Sequence, residues 1–168
     1  MFLLFRTCLD IALLRKGPDA LPRSGLVLLL TLVGFSIPFT LYYSLPGASA
    51  QPDPALHIAL IFFGALAYVL ILRFRGFPER TMQTLSAVFG VAALLNGIDV
   101  LLLAPVLLIG GELVVLNLVR LCLLAWSFMV ETFIVSKAFE WPRFFAATFV
   151  LCIFFAQYYV LYSSPGGH

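Results

Sequence analysis

Polar residues recur at helical spacing inside one of the most apolar stretches of this chain, residues 113–136. Four of them follow one another at intervals of three, seven and four positions, and they are Asn117, Arg120, Ser127 and Glu131. At about 100° per residue they share one sector of a helix. A charge inside a membrane helix costs at least about 2.5 to 3.5 kcal/mol on insertion scales, so it needs a partner away from lipid. The chemistry open to this stripe is ion pairing, or the binding of an ion, a headgroup or a small solute.

Asp99 is the predicted partner of Arg120. Asp99 lies about nine residues, or about 14 Å, before the end of one predicted helix, and Arg120 lies about seven residues, or about 10 Å, after the start of the next. A short turn makes these helices antiparallel neighbours, so the two charges reach similar heights, with Asn96 and Asn117 near the same level. We expect an ion pair supported by asparagine hydrogen bonds. Two interpretations follow: the pair only locks the helices together, or it lines a polar pocket open to the outer side.

Glu131 lies deeper, about six residues or about 9 Å from the inner end of the same helix. Gln83, Thr84 and Ser86 are expected at comparable depth. The Glu131 carboxyl group is expected to reach water or Arg80, or to be neutral. The carboxyl group is interpreted either as a hydrogen-bonded structural group or as a proton relay. The predicted binding residues are therefore Asn96, Asp99, Asn117, Arg120 and Glu131.

Composition identifies the environment of these residues as a membrane. Hydrophobic residues make up 62% of the 168, charged residues 11%, and the mean hydropathy is +1.08, whereas soluble domains are about half apolar and about one quarter charged. Each apolar segment is long enough to cross about 30 Å of hydrocarbon as a helix. The predicted fold is an all-α integral membrane protein, a five-transmembrane-helix bundle over residues 25–162, with spans at 25–45, 55–74, 81–108, 113–136 and 144–162.

The distribution of lysine and arginine predicts the orientation. Basic residues in short loops stay on the cytoplasmic side, and nine of the ten precede the first span, bracket the turn between the second and third, or bracket that between the fourth and fifth. In the two other loops the only charged residues are Asp53 and Glu112. The amino terminus is therefore expected inside and the carboxyl terminus outside. The nine residues are Arg6, Arg15, Lys16, Arg23, Arg73, Arg75, Arg80, Lys137 and Arg143.

Residues 1–24 are expected to form a cytoplasmic amphipathic interfacial helix and a linker. Arg6, Thr7 and Asp10 share a narrow polar stripe on a helix whose other positions are mostly apolar. Gly17 and Pro18 are expected to end it. Such a helix lies in the membrane interface, packs under the bundle, or does both. Residues 163–168 are expected to be a flexible tail.

A secretory signal is the alternative interpretation of the first span. A basic region, an apolar run and the sequence Ala48-Ser49-Ala50 also describe a signal peptide. The apolar run of about 20 residues is longer than the 7 to 15 typical of signals. A retained first helix is therefore favoured.

The residues needed for metal binding or catalysis are sparse. His57 and His168 are too few and too far apart for a metal site, and Cys8, Cys122 and Cys152 are expected to be small buried hydrophobes. Catalytic and phosphate-binding motifs are missing. We therefore expect no enzyme, no cofactor and no metal, and the short basic clusters predict no nucleic-acid partner. Close helix approach is expected at two glycines seven residues apart, Gly90 and Gly97.

Five close-set helices with a polar fourth helix resemble the Ypt-interacting (Yip) domain family, in its small bacterial branch. The most specific pieces are R-K-G-P-x-x-L-P from Arg15 and R-x-x-Q-T-L-S-A from Arg80. The resemblance implies a multi-pass inner-membrane protein with a periplasmic carboxyl terminus, acting as a non-enzymatic scaffold or assembly partner. Its expected partners are the lipid bilayer and a protein or second copy of the chain. The alternative prediction is a small transporter or ion-conducting protein that uses the intramembrane cluster of aspartate, arginine and asparagine.

Overall fold

The computed structural model describes residues 2–45, 53–109 and 113–163. Within these ranges the regular structure is entirely helical, and single 3₁₀ turns at Pro18–Ala20 and Pro78–Arg80 precede two of the long helices. The Ala48-Ser49-Ala50 sequence, the turn at 110–112 and the predicted tail beyond residue 163 lie outside the described residues. The helices are α1 (Phe2–Ala12), α2 (Gly25–Ser44), α3 (Pro54–Phe74), α4 (Thr81–Ile109), α5 (Leu113–Phe139) and α6 (Arg143–Ser163).

Helices α2 to α6 are each long and apolar enough to cross a membrane, which confirms the all-α, five-span prediction. Their outer faces carry large apolar side chains, such as Leu101, Leu121 and Phe155, that are exposed by 75%, 62% and 64%. Exposure of so much apolar surface to water would be energetically unfavourable, whereas contact with the acyl chains of a bilayer carries no such free-energy cost. The chain is therefore a membrane-embedded protein.

The helix bounds agree with the predicted spans except at the end of α5. That helix was predicted to stop at residue 136, and it continues to Phe139. Ala138 and Phe139 are almost fully buried in a cluster with Tyr68 of α3 and Val150 of α6. Packing of this extra turn against two neighbours therefore extends the helix beyond the charged Lys137, where hydropathy alone ends it.

Helix α4 is the centre of the bundle, because it contacts α1, α2, α3 and α5. Two buried clusters hold the helices together, one on each side of α5. The first joins α1, α4 and α5 through residues such as Ile11, Ala87 and Val130. The second joins α3, α5 and α6 through residues such as Leu72, Val135 and Val150. This arrangement leaves polar residues of α3, α4, α5 and α6 facing one another between the clusters.

Helix α1 is confirmed as a helix, but it ends earlier than expected. Gly17 and Pro18 were predicted to end it, and it ends at Ala12. Leu14 adopts the left-handed conformation, with φ of 59°, and its amide donates to the Ile11 carbonyl at 2.9 Å. This is the usual geometry of a helix end, formed here without the glycine that normally occupies it.

The buried face of α1 lies directly against α4 and α5. Cys8 is 4% exposed, and the indole Nε1 of Trp126 donates to the Ala12 carbonyl at 3.0 Å. A Cβ at Gly90 would lie 2.6 Å from Cys8 Sγ and 3.3 Å from Thr31 Cγ2, so only glycine admits these contacts. Close approach at Gly90 is thus confirmed. At Gly97 the prediction is wrong, because nothing lies within 4 Å of a Cβ there.

We expect Gly90→Val to displace α1 from the bundle. Burial raises the pKa of the Cys8 thiol to about 11, so the docked side chain is both hidden and protonated at pH 8 and reacts slowly with maleimide. In a chain with Cys122 and Cys152 replaced by alanine, Gly90→Val should accelerate labelling of Cys8 by at least about tenfold. Gly97→Val, the same change on the same helix, should leave the rate unaltered. Equal rates in the two variants would contradict docking at Gly90.

Candidate functional site

Asp99 and Arg120 form the ion pair predicted from the sequence. Arg120 donates through Nε to Asp99 Oδ1 at 2.8 Å and through Nη2 to Oδ2 at 3.0 Å. The Arg120 side chain is 28% exposed and the Asp99 side chain is 21% exposed. Two parallel charge-assisted hydrogen bonds are the strongest geometry available to such a pair. The contact fixes α4 and α5 at one height, and it neutralises two charges that would each be costly alone.

Helix α2 also contributes to the surroundings of the pair. The guanidinium carbon of Arg120 lies 5.5 Å from the centre of the Tyr42 ring. The negative face of an aromatic ring attracts a cation at this distance. Tyr42 therefore connects the end of α2 to the antiparallel arms of α4 and α5.

Asn96 and Asn117 do not support the ion pair as expected. Both side chains are exposed, and neither makes a hydrogen bond with any described residue. Each asparagine precedes its charged neighbour by three positions, which places it at a similar depth but about 60° away around the helix. Depth was predicted correctly, and the direction of the side chains was not.

Glu131 is half-buried, and its partner is Tyr68 of α3, whose hydroxyl donates to Glu131 Oε1. The alternative partner, Arg80, bonds instead to Glu140 at 2.7 Å and to the Ala138 carbonyl at 3.3 Å. Arg80 precedes α4 and Glu140 follows α5, so both sit at the end of the bundle. Glu131 lies about eight residues, or about 12 Å, inside it, beyond the reach of Arg80.

Glu131 and Asp99 both line a cavity of about 430 Å³ between α2 and α6. Asn96 also lines it, whereas Arg120, Ser127 and Asn117 do not. Arg120, which pairs with Asp99, lies about 16 Å from Glu131 along the axis of α5, so the two carboxyl groups line separate parts of the cavity. Its polar lining residues are Tyr42, Tyr43, His57, Tyr68, Asn96, Asp99, Glu131 and Gln157.

Five of these polar residues were not predicted as site residues from the sequence, and they are Tyr42, Tyr43, His57, Tyr68 and Gln157. Tyr68 lies in the middle of α3, far from the interfaces where tyrosine usually gathers, and such a hydroxyl needs a partner. Gln157 is flanked by apolar and aromatic residues in α6. His57 was considered only as a metal ligand, and that role was rejected. A polar side chain inside a span was the signal in each case. That signal was followed in the third and fourth predicted spans, and not in the second and fifth, which contain these three residues.

Local packing positions these groups. Nε2 of Gln157 donates to the Leu60 carbonyl at 2.9 Å, and a Cβ at Gly64 would lie only 2.8 Å from the same nitrogen. Glycine in α3 therefore allows α6 to approach closely enough for this bond. At the end of the cavity, the Tyr43 hydroxyl lies 2.7 Å from His57 Nδ1, which joins the end of α2 to the start of α3.

The chemical character of the cavity is that of a site for positive charge. Two carboxyl groups line it, and no lysine or arginine of the described ranges does. Within those ranges no group of three or more histidine, cysteine, aspartate and glutamate residues is close enough to hold a metal ion. Cys122 and Cys152, expected to be buried, are exposed on the outer faces of α5 and α6, where lipid accepts a thiol as readily as a methyl group.

Comparison with protein-family models, with curated proteins and with solved structures found no match to this chain. The resemblance to the Yip domain family therefore stays a prediction that rests on the quoted pieces of sequence. The function has to be argued from the geometry of the site.

Proposed function

We propose that this multi-pass membrane protein binds a small cation or a proton in the cavity between α2 and α6 and conducts it across the bilayer. The proposal rests on one observation: Asp99 of α4 and Glu131 of α5 line the same cavity, and no described lysine or arginine lines it. Ionisable groups inside membrane proteins usually mark the path of an ion or a proton.

Glu131 is the main candidate for binding. Asp99 is already neutralised by two hydrogen bonds from Arg120, so it contributes polarity and little net charge. Glu131 has only a neutral donor, the Tyr68 hydroxyl. A carboxyl group without a cationic partner can exchange a proton or accept a cation, and the second of these restores neutrality inside the membrane.

The scaffold or assembly role that the Yip resemblance implies requires the contact between Asp99 and Arg120 but does not require a polar cavity. An ion pair on the facing sides of two helices would be enough to lock them together. The cavity of about 430 Å³ next to the pair is the feature that favours conduction. Binding of a second copy or of another protein remains a prediction.

The proposed orientation follows the positive-inside rule. Nine of the ten basic residues lie at the end of the bundle where α2 and α4 begin and α3 and α5 end. We assign this end to the cytoplasm of a bacterial inner membrane. The cavity reaches Tyr42, Tyr43 and His57 near the opposite end, so its ligand would enter from the periplasm.

A flux measurement with purified protein in liposomes tests the proposal. Proteoliposomes that enclose a pH-sensitive dye are given an inside-negative potential, and in parallel the uptake of sodium, potassium and a small organic ammonium ion is measured. Wild-type protein should exceed the protein-free rate for the proton or for one of these cations. Glu131→Gln should return the rate to the protein-free level, because the amide cannot carry a proton or neutralise a cation, although its oxygen still accepts from Tyr68.

Glu140→Gln is the matched control. It makes the same change on a carboxyl group that pairs with Arg80 outside the cavity, so its flux should equal that of the wild type. Wild-type flux that never exceeds the protein-free rate for any of the four ions would refute conduction and favour the scaffold. A Glu131→Gln rate equal to the wild-type rate would refute the role of this residue.

A further inference from the structure

A second cavity, of about 620 Å³, lies at the basic end of the bundle. It is formed by the linker between α1 and α2, the start of α4, and the corner between α5 and α6. Asp19 is the one acidic residue among its described lining residues. Five basic residues from separate parts of the chain line it, and they are Arg15, Arg23, Arg80, Lys137 and Arg143.

The base of this basic pocket is held by hydrogen bonds. Gln83 is 7% exposed, and its Nε2 donates to the Leu21 carbonyl at 2.6 Å and to the Asp19 carbonyl at 3.3 Å. Its Oε1 accepts from Arg23 Nε at 3.3 Å. Thr84, fully buried beside it, donates to the Arg80 carbonyl at 2.9 Å. The linker is therefore tied to α4, and the pocket is a built feature rather than a gap between loops.

Most of the positive charge in the pocket is uncompensated. Glu140 pairs with Arg80 at 2.7 Å, but Arg15, Lys137 and Arg143 form no ion pair with any described residue. Lys16 is different, because it bonds to Asp10 at 2.8 Å, and that hydrogen bond lowers the pKa of the Asp10 carboxyl. Cations that share a cavity repel one another, and an anion bound among them would relieve the repulsion.

We propose that the basic pocket binds the phosphate of an anionic phospholipid headgroup. Arg80 precedes α4, Arg143 begins α6 and Arg23 precedes α2, so the basic groups lie level with the ends of three spans, where headgroups reside. Half-buried Trp141, between α5 and α6, is the kind of residue that marks this level. Basic pockets between spans on the cytoplasmic side suit such headgroups. A soluble phosphate compound would use the same chemistry, and the experiment must separate the two sources.

Binding is measured with purified full-length protein in neutral detergent, titrated with phosphatidylglycerol or with phosphatidylcholine and followed by native mass spectrometry. Wild-type protein should retain phosphatidylglycerol selectively. Arg15→Gln with Arg143→Gln should weaken that binding by at least about tenfold, because each basic residue near the headgroup contributes to the attraction. Lys137→Gln alone should weaken it in the same direction, which gives a second test if the double variant folds poorly.

Arg6→Gln with Arg73→Gln is the matched control. It removes two exposed arginines from the same end of the bundle, and neither lines the pocket. Its affinity for phosphatidylglycerol should equal that of the wild type. An equal loss in the two double variants would indicate diffuse surface attraction and overturn the site. Equal binding of phosphatidylcholine, or full displacement of the lipid by millimolar inorganic phosphate or glycerol phosphate, would overturn the lipid as its ligand. This test does not depend on the cavity between α2 and α6.

Discussion

Arg120→Gln is expected to destabilise the bundle by about 2 to 4 kcal/mol, since it leaves Asp99 charged and unpaired in a largely desolvated place. The expected loss of stability is at the lower end of the range for a buried ion pair because the Arg120 and Asp99 side chains are 28% and 21% exposed. Asp99→Asn with Arg120→Gln should recover most of this loss, because no unpaired charge remains. The midpoint of thermal unfolding in a mild detergent measures both effects.

Arg73→Gln is the control for the loss of a single arginine. Arg73 is exposed at the end of α3, and its replacement should change stability by less than about 0.5 kcal/mol. A double variant as unstable as Arg120→Gln alone would contradict the account, because the loss would then come from something other than an orphaned charge. A single variant as stable as the wild type would mean that water or lipid headgroups compensate Asp99.

The stability result also bears on function. If the ion pair only locks α4 to α5, the neutral double variant should keep its fold and also any flux that the wild type shows. If Asp99 takes part in binding, the same variant should keep its fold and lose flux. The two interpretations of Asp99, a structural clamp and a binding group, are thus separable in one protein preparation.

Much of the fold could be predicted because membranes restrict the choices. Hydropathy and length identify five spans, and α2 to α6 occupy them. The Asp99 and Arg120 pair was also predictable, since a short turn makes α4 and α5 antiparallel neighbours and the helical rise then sets the height of each charge. Both inferences need only distances along the chain.

The predictions that were wrong are those that depend on which helices are in contact and on the direction in which each side chain points. Tyr68 is 63 positions before Glu131, and nothing in the sequence indicates that α3 faces α5. Asn96 and Asn117 were placed at the expected depth but make no hydrogen bond to the pair. Gly97 shares a helix face with Gly90, yet Cys8 of α1 lies against Gly90 and nothing lies within 4 Å of a Cβ at Gly97. Rotation of each helix about its own axis is set by packing, and apolar spans carry little sequence signal for it.

We expect the cavity between α2 and α6 to be hydrated. Ala65 lines the cavity, whereas its neighbour Leu66 does not and is 54% exposed on the outer face of α3. The two residues lie at nearly the same depth, about 1.5 Å apart along the helix axis. A thiol reacts with a charged reagent only as thiolate and only where water reaches it. A cysteine at 65 should therefore react and one at 66 should not.

Water in the cavity is detected by the rate at which a membrane-impermeant, positively charged thiosulfonate labels these two positions. Ala65→Cys and Leu66→Cys are each placed in a chain whose three native cysteines are replaced by alanine, and both are labelled in liposomes. We expect Ala65→Cys to be labelled at least about tenfold faster than Leu66→Cys. Equal, slow labelling of the two in folded protein would mean that the hollow holds no water or ion, and would contradict this expectation.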